Sequence, residues 1–191
     1  MEFRKFPIGI QDFVTIREEG YLYVDKTPFV YRLVNEGKPY FLSRPRRFGK
    51  SLLLSTLKAY FEGKKELFAA VAGQPGLAIA GLEKEWQSYP VFHMDFNVGD
   101  YHRPGGLDSA LHAGLGRLEK TWGENPKETS FPDRFRGLIE RAAEKTGKKV
   151  VVLIDEYDKP LLEMEDEGKR AEARNTLRAF YGVLKSADPW L

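Results

Sequence analysis

The sequence of 191 residues contains no cysteine. That excludes a disulfide framework, a thiolate metal site and a cysteine nucleophile together. Histidine is nearly as scarce: His93, His102 and His112 are present, and their spacing matches no metal-ligand template. No Gly-x-Ser-x-Gly elbow occurs, so the usual hydrolase serine is missing as well. No apolar run approaches the roughly 20 residues that a bilayer-spanning helix needs. The first seven residues, Met1 to Pro7, have no apolar signal core. The expectation is a soluble, cytoplasmic protein with no membrane partner. An excess of one charge is also lacking: 30 Lys+Arg against 28 Asp+Glu leave a net +2, which argues against a protein that coats nucleic acid broadly. Internal repeats and low-complexity tracts are absent. What is present, 42% hydrophobic and 13% aromatic residues, is enough for a sizeable core and one compact domain.

The basic character is local. Arg44, Arg46, Arg47 and Lys50 lie within seven residues, in the stretch Arg44-Pro45-Arg46-Arg47-Phe48-Gly49-Lys50-Ser51. This stretch ends like a phosphate-binding P-loop, G-x-x-x-x-G-K-[ST], but has Arg44 where the consensus has its first glycine. A Gly-Lys-Ser/Thr triplet arises by chance in roughly one chain in ten of this length, so context must carry the reading. Gly-Lys occurs five times here, and only Gly49-Lys50 is followed by a hydroxyl residue. Gly37, Gly63 and Gly147 each follow an apolar-periodic stretch and read as helix-ending glycines in the left-handed conformation.

Pro39-Tyr40-Phe41-Leu42, ahead of the loop, reads as a short buried strand. Behind it, Leu53, Leu57, Tyr60 and Phe61 fall on one face of a helix that Gly63 stops. In the order strand, loop, helix, the amides of Arg46, Arg47, Phe48, Gly49, Lys50, Ser51 and Leu52 would cradle the phosphates of ATP at the positive end of the helix dipole. Lys50 would reach the β- and γ-phosphates, and the Ser51 hydroxyl would ligate Mg²⁺. Arg44, Arg46 and Arg47 either add positive charge over phosphates or form a solvated basic loop.

About a hundred residues on, Val150-Val151-Val152-Leu153-Ile154 is an unbroken apolar run that ends in Asp155-Glu156. Such a run suits a parallel strand buried on both faces, and its C-terminal end is the rim where open α/β sheets bind ligands. This is a Walker B pattern. Asp155 would hold Mg²⁺, and Glu156 would orient or deprotonate the attacking water. The competing reading is a strand that ends in a solvated acidic turn. Asp95 ends a second expected strand, 91–97, on the same rim. It is either a partner for a metal-bound water or a plain strand-end turn.

The rest of the chain alternates. A short helix over 10–19 stopped by Gly20, an extended 21–24 and a helix with Thr27 as N-cap and Pro28 at its first position precede the loop. Helices follow around 66–72, over 107–122, from Phe135 to Gly147 and around Leu177 to Leu184, the last closed by Asp188-Pro189. Strands alternating with helices predict an α/β fold with a mainly parallel sheet flanked by helices, of the P-loop NTPase type.

Three blocks carry a resemblance: 16–27 (Ile16-Arg17-Glu18-Glu19-Gly20-Tyr21-Leu22-Tyr23-Val24-Asp25-Lys26-Thr27), 42–51 and 153–160 (Leu153-Ile154-Asp155-Glu156-Tyr157-Asp158-Lys159-Pro160). In these the chain resembles the prokaryotic AAA-ATPase-like family, whose P-loop ATPase domain is often followed by a PD-(D/E)XK nuclease-like region. The family's Walker A also begins Arg-Pro-Arg-Arg, so the missing first glycine is a shared trait. The resemblance implies ATP as ligand, Mg²⁺ as cofactor and hydrolysis to ADP and phosphate, with Tyr23, Asp25 and Lys26 as candidates to approach base or ribose. It further implies a helical lead-in over 1–37, a nucleotide-binding core over 38–191, and a strand after the last helix that this chain does not include. The expectation is therefore a C-terminally truncated, AAA-like P-loop domain that is marginally stable and hydrolyses ATP poorly by itself. The alternative function is a nucleic-acid- or partner-binding module in which Asp155-Glu156 is structural. Oligomeric state is not specified.

Overall fold

The chain divides after Ser88, and the parts on either side pack as two units. The computed structural model describes residues 5–37, 39–43, 45 and 47–191. Arg44 and Arg46 of the expected phosphate loop lie outside the described residues. No helix among the described residues is long and apolar enough to cross a membrane.

The first unit is helical: α1 (Phe13–Glu18), α2 (Thr27–Glu36), α3 (Lys50–Phe61), α4 (Lys65–Phe68) and α5 (Ile79–Leu82). Phe13, Ile16, Val30, Leu57, Phe68 and Ile79 are buried, and Phe68 packs its ring against Phe13 (4.9 Å) and Trp86 (5.0 Å). Asp12 caps α1 by accepting from the Thr15 amide (2.8 Å). Its other oxygen accepts from the Ser55 hydroxyl (2.9 Å), which in turn accepts from the Phe13 amide (2.9 Å), so the start of α1 is tied to the middle of α3.

Arg17 points inward from α1 and is only 1% exposed. A buried guanidinium is tolerated only when its donors are satisfied. Nε donates to the Leu67 carbonyl (2.7 Å), Nη1 to Gln74 Oε1 (2.8 Å), and Nη2 to the carbonyls of Ala69 (2.7 Å) and Pro75 (3.2 Å). These acceptors come from α4 and the irregular segment that follows it to Pro75, whose sequence gives little indication of its path. One buried cation organises it.

Several local expectations change. Residues 39–43 form no strand, and Tyr40 and Phe41 are 52% and 70% exposed. An apolar run becomes a strand only when a neighbour takes its backbone hydrogen bonds, and the sheet of the described residues contains only two strands, both in the other unit. Thr27 is the first helical residue of α2 and not its cap, which is Lys26; Asp25 Oδ1 accepts from the Thr27 amide (2.8 Å) and hydroxyl (2.6 Å) just ahead of the helix. Gly63 and Gly147 have φ of 73° and 65° as expected for left-handed helix ends. Gly37 does not: its φ of 144° and ψ of −172° turn α2 out through an extended, glycine-only conformation.

The second unit is α/β: β1 (Val91–Asp95), α6 (Gly106–Trp122), α7 (Phe131–Thr146), β2 (Val151–Asp155), α8 (Lys159–Leu162), α9 (Glu167–Ser186) and a 3-10 turn (Asp188–Trp190). β1 and β2 pair in parallel, in register from Val91 with Val151 to Asp95 with Asp155. Period-2 alternation puts Phe92, Met94, Val152 and Ile154 on one face. They meet Leu111 and Leu115 of α6, Phe135 and Leu138 of α7 and Phe180 of α9 in one cluster, with Phe135 and Phe180 stacked at 4.5 Å. Gly114, which weakens α6 by propensity, lies against β1: a Cβ there would be 3.1 Å from the Met94 methyl. After α9 the Trp190 carbonyl accepts from the Val150 amide (2.7 Å), at the N-terminal end of β2.

The loop after β1 is built on Tyr101, which is buried and donates its hydroxyl to the Phe96 carbonyl (2.8 Å). A Cβ on Gly99 would fall well inside contact distance of the Tyr101 ring. Since that ring is held on all sides, Gly99→Ala is expected to destabilise the unit by about 1–3 kcal/mol through overpacking. A lowered urea midpoint checks this; an unchanged midpoint would mean the loop repacks freely.

Candidate functional site

The loop before α3 makes its turn with left-handed backbone. Arg47 has φ 66°, and Gly49, the residue that caps α3, has φ 75° and ψ 27°. For an arginine this conformation costs on the order of 1–2 kcal/mol, whereas glycine adopts it freely. A Cβ at Gly49 would meet nothing within 4 Å, so glycine is required there by conformation and not by space. The helix then begins at Lys50 with no side-chain cap on its first turn. Gly49, at the cap position, offers no side-chain acceptor of its own to the leading amides or to the positive end of the dipole. Lys50 folds back over the loop, its Nζ 3.5 Å from the Pro45 carbonyl. Arg47 and Phe48 are exposed, Phe48 by 64%, while Lys50, Ser51 and Leu52 are half-buried. The helix is held from behind: the Thr56 hydroxyl bonds the Leu52 carbonyl (2.8 Å) and lies 3.4 Å from the Tyr23 hydroxyl.

Tyr23 and Asp25 are engaged inside the first unit. Burial raises the Tyr23 pKa above its ordinary value, and its ring packs edge-on against Phe13 at 5.2 Å. Burial pulls the Asp25 pKa upward, but bonds from Thr27 and from the Ala78 amide (2.7 Å) outweigh it and leave the carboxyl below its ordinary value. Tyr23 thus braces α1 and α3, and Asp25 ties the start of α2 to the start of α5, roles visible only through these contacts.

Asp155 and Glu156 belong to the second unit. Asp155 ends β2, is 7% exposed, and accepts the Glu156 amide on Oδ1 (3.0 Å). Register sets Asp95 beside it on the neighbouring strand, where Asp95 Oδ1 accepts the Asn97 amide (2.7 Å) in a strand-end turn. Glu156 is half-buried with φ 50°, a left-handed glutamate at the expected catalytic position. Around it, the Lys159 amide donates to the Glu156 carbonyl (3.0 Å), and Lys159 Nζ reaches the Asn97 carbonyl (2.7 Å) and Oδ1 (2.8 Å). The Tyr181 hydroxyl of α9 donates to the Tyr157 carbonyl (3.2 Å). Burial raises the pKa of Tyr181 well above the ordinary phenol value, and that of Tyr101 to about 12, with Glu163 and Asp95 adding to the latter. The phenols are therefore proton donors across the physiological range. The sequence assigns Asn97 and Tyr181 no part in this turn, and Lys159, within the 153–160 block, none beyond shaping the turn before Pro160.

Among the described residues no group of three or more His, Asp or Glu could hold a metal. Asp155, a carboxylate at a strand end with its Oδ1 on the Glu156 amide, is a hard oxygen donor of the kind Mg²⁺ takes while keeping most of its own waters.

The chain is 40% identical over 190 residues to an "Uncharacterized protein in vnfD 5'region" of Azotobacter chroococcum mcd 1, a match covering 98% of this chain and 36% of that protein. It thus spans about a third of the length of the curated relative it matches. No solved structure matches it. The model of a family described as predicted AAA-ATPase matches residues 7–191. With the match running over nearly the whole chain, the protein belongs to the AAA-ATPase-like family.

Proposed function

We propose that the chain carries a P-loop nucleotide site that binds ATP with Mg²⁺ and, within the full-length protein, hydrolyses it to ADP and phosphate. The observation that carries this reading is the glycine-led start of α3. A left-handed Gly49 delivers Lys50 and Ser51 to the first turn of a 12-residue helix, the local geometry that receives a phosphate. In this reading the loop amides from Arg46 to Leu52 and the Lys50 ammonium neutralise the phosphate oxygens. Ser51 and Asp155 are the ligands offered to Mg²⁺, which when bound would offset charge on the β- and γ-oxygens. Glu156 orients the attacking water and accepts its proton. Catalysis is then positioning plus charge neutralisation.

MgATP in hundredfold excess over its Kd should stabilise the folded protein by about 2.7 kcal/mol, a rise in Tm of roughly 5–10 °C for a protein of this size. Thermal shift with and without Mg²⁺, on this chain and on the full-length protein, checks it; no shift in either sinks the reading.

One observation favours a second reading. Tyr40, Phe41 and Phe48 are exposed aromatics around the basic Arg47, a composition suited to stacking on bases of a single strand. Nucleic-acid binding that falls steeply with salt and ignores MgATP would favour that module.

A further inference from the structure

A left-handed glutamate persists only where its surroundings overdetermine the backbone. Three bonds act on the turn that starts at Glu156. The Asp155 carboxylate holds the Glu156 amide, the Tyr181 hydroxyl holds the Tyr157 carbonyl, and the Lys159 amide closes back on the Glu156 carbonyl. Lys159 is itself anchored, because its ammonium takes both the carbonyl and the side-chain oxygen of Asn97, at the end of β1. Tyr181 is anchored too, its ring edge-on to Phe96 at 6.3 Å. The turn is thus gripped from the β1 end by Lys159 and from α9 by Tyr181. Neither grip supplies a group that proton transfer needs, and each sets where the backbone of residue 156 sits.

We propose that Tyr181 and Lys159 are positioning residues that hold the strained Glu156 turn so that its carboxylate meets the attacking water. The inference rests on the ATPase reading above. A small displacement of a general base is expensive in rate while leaving substrate affinity alone. Phosphate contacts belong to the α3 loop, so loosening the grip should lower kcat and spare KM.

The test is steady-state ATP turnover of the full-length protein and of its Tyr181→Phe, Lys159→Met and Glu156→Gln variants. Tyr181→Phe and Lys159→Met are also made on the Glu156→Gln background, and amide exchange across 155–160 is read alongside. Expected is a loss in kcat of about five- to tenfold for each grip variant with KM within about twofold, and faster exchange in the turn. No further loss is expected once Glu156 is already Gln, because residues acting through one group are not additive. An equal fold loss on the Glu156→Gln background, or parent-like kcat and exchange in both grip variants while Glu156→Gln is inactive, would overturn the proposal alone. Parent-like turnover by Glu156→Gln would overturn the ATPase reading and the grip's catalytic role with it.

Discussion

Glu156→Gln is expected to remove ATP turnover while leaving MgATP affinity within about twofold of the parent. Glutamine keeps the length and shape of the side chain and has no basic carboxylate. A positioned general base contributes about 10²–10⁴ in rate, so kcat should fall by that factor. The substitution changes no residue of the α3 loop, and the amide that Asp155 accepts at this position is main chain and stays. The left-handed backbone at 156 is no harder for glutamine than for glutamate, so the turn survives. Phosphate release under saturating MgATP, together with calorimetric binding, separates the two effects. If turnover persists at the parent rate, Glu156 does not serve the water.

Lys50→Ala should act on binding. In the proposed site the ammonium at the first turn of α3 is directed at the β- and γ-phosphates. Charge-assisted hydrogen bonds contribute about 1.5–3 kcal/mol each, and losing even one with its charge weakens affinity on the order of a hundredfold. Stability should change little. Lys50 is half-buried at the start of α3, and alanine is a better helix former than lysine there. A normal melting temperature with no MgATP shift is therefore the expected pair of results. Parent-like MgATP binding would show that the phosphates, if bound at all, lie elsewhere. The two substitutions thus separate the α3 loop from the β2 turn by outcome: one loses binding, the other loses turnover.

Much of the fold was legible because burial follows local period. Helices α6, α7 and α9 announce themselves by apolar residues at helical spacing bounded by Gly147, Asn125-Pro126 or Asp188-Pro189. The run at 150–154 and the segment after Pro90 suit buried strands and form β2 and β1. The run at 39–42 satisfies the same composition and yet is no strand, because strand formation is a property of a pair and composition belongs to one segment. α5 and α8, of four residues each, are too short to carry a period. The 67–75 path depends on Arg17, 50 or more residues away from the groups it holds. A single charged side chain in an otherwise ordinary helix gives no warning of this.

The candidate site divides along the same line. By itself the sequence determined the chemistry available: Gly49-Lys50-Ser51 opening a helix, and Asp155-Glu156 closing a strand. Both are contiguous motifs whose meaning lies in neighbouring backbone. Only the tertiary structure decided how those motifs are held. Tyr181 lies 24 residues from the carbonyl it grips and Lys159 lies 62 residues from Asn97, and Tyr23 braces α3 from 33 residues away. Glu156 adopts a left-handed backbone that no residue preference would assign to it. The reason is physical: a motif specifies which atoms meet a ligand through a few adjacent dihedrals, whereas their exact placement depends on contacts that exist only after distant segments have packed.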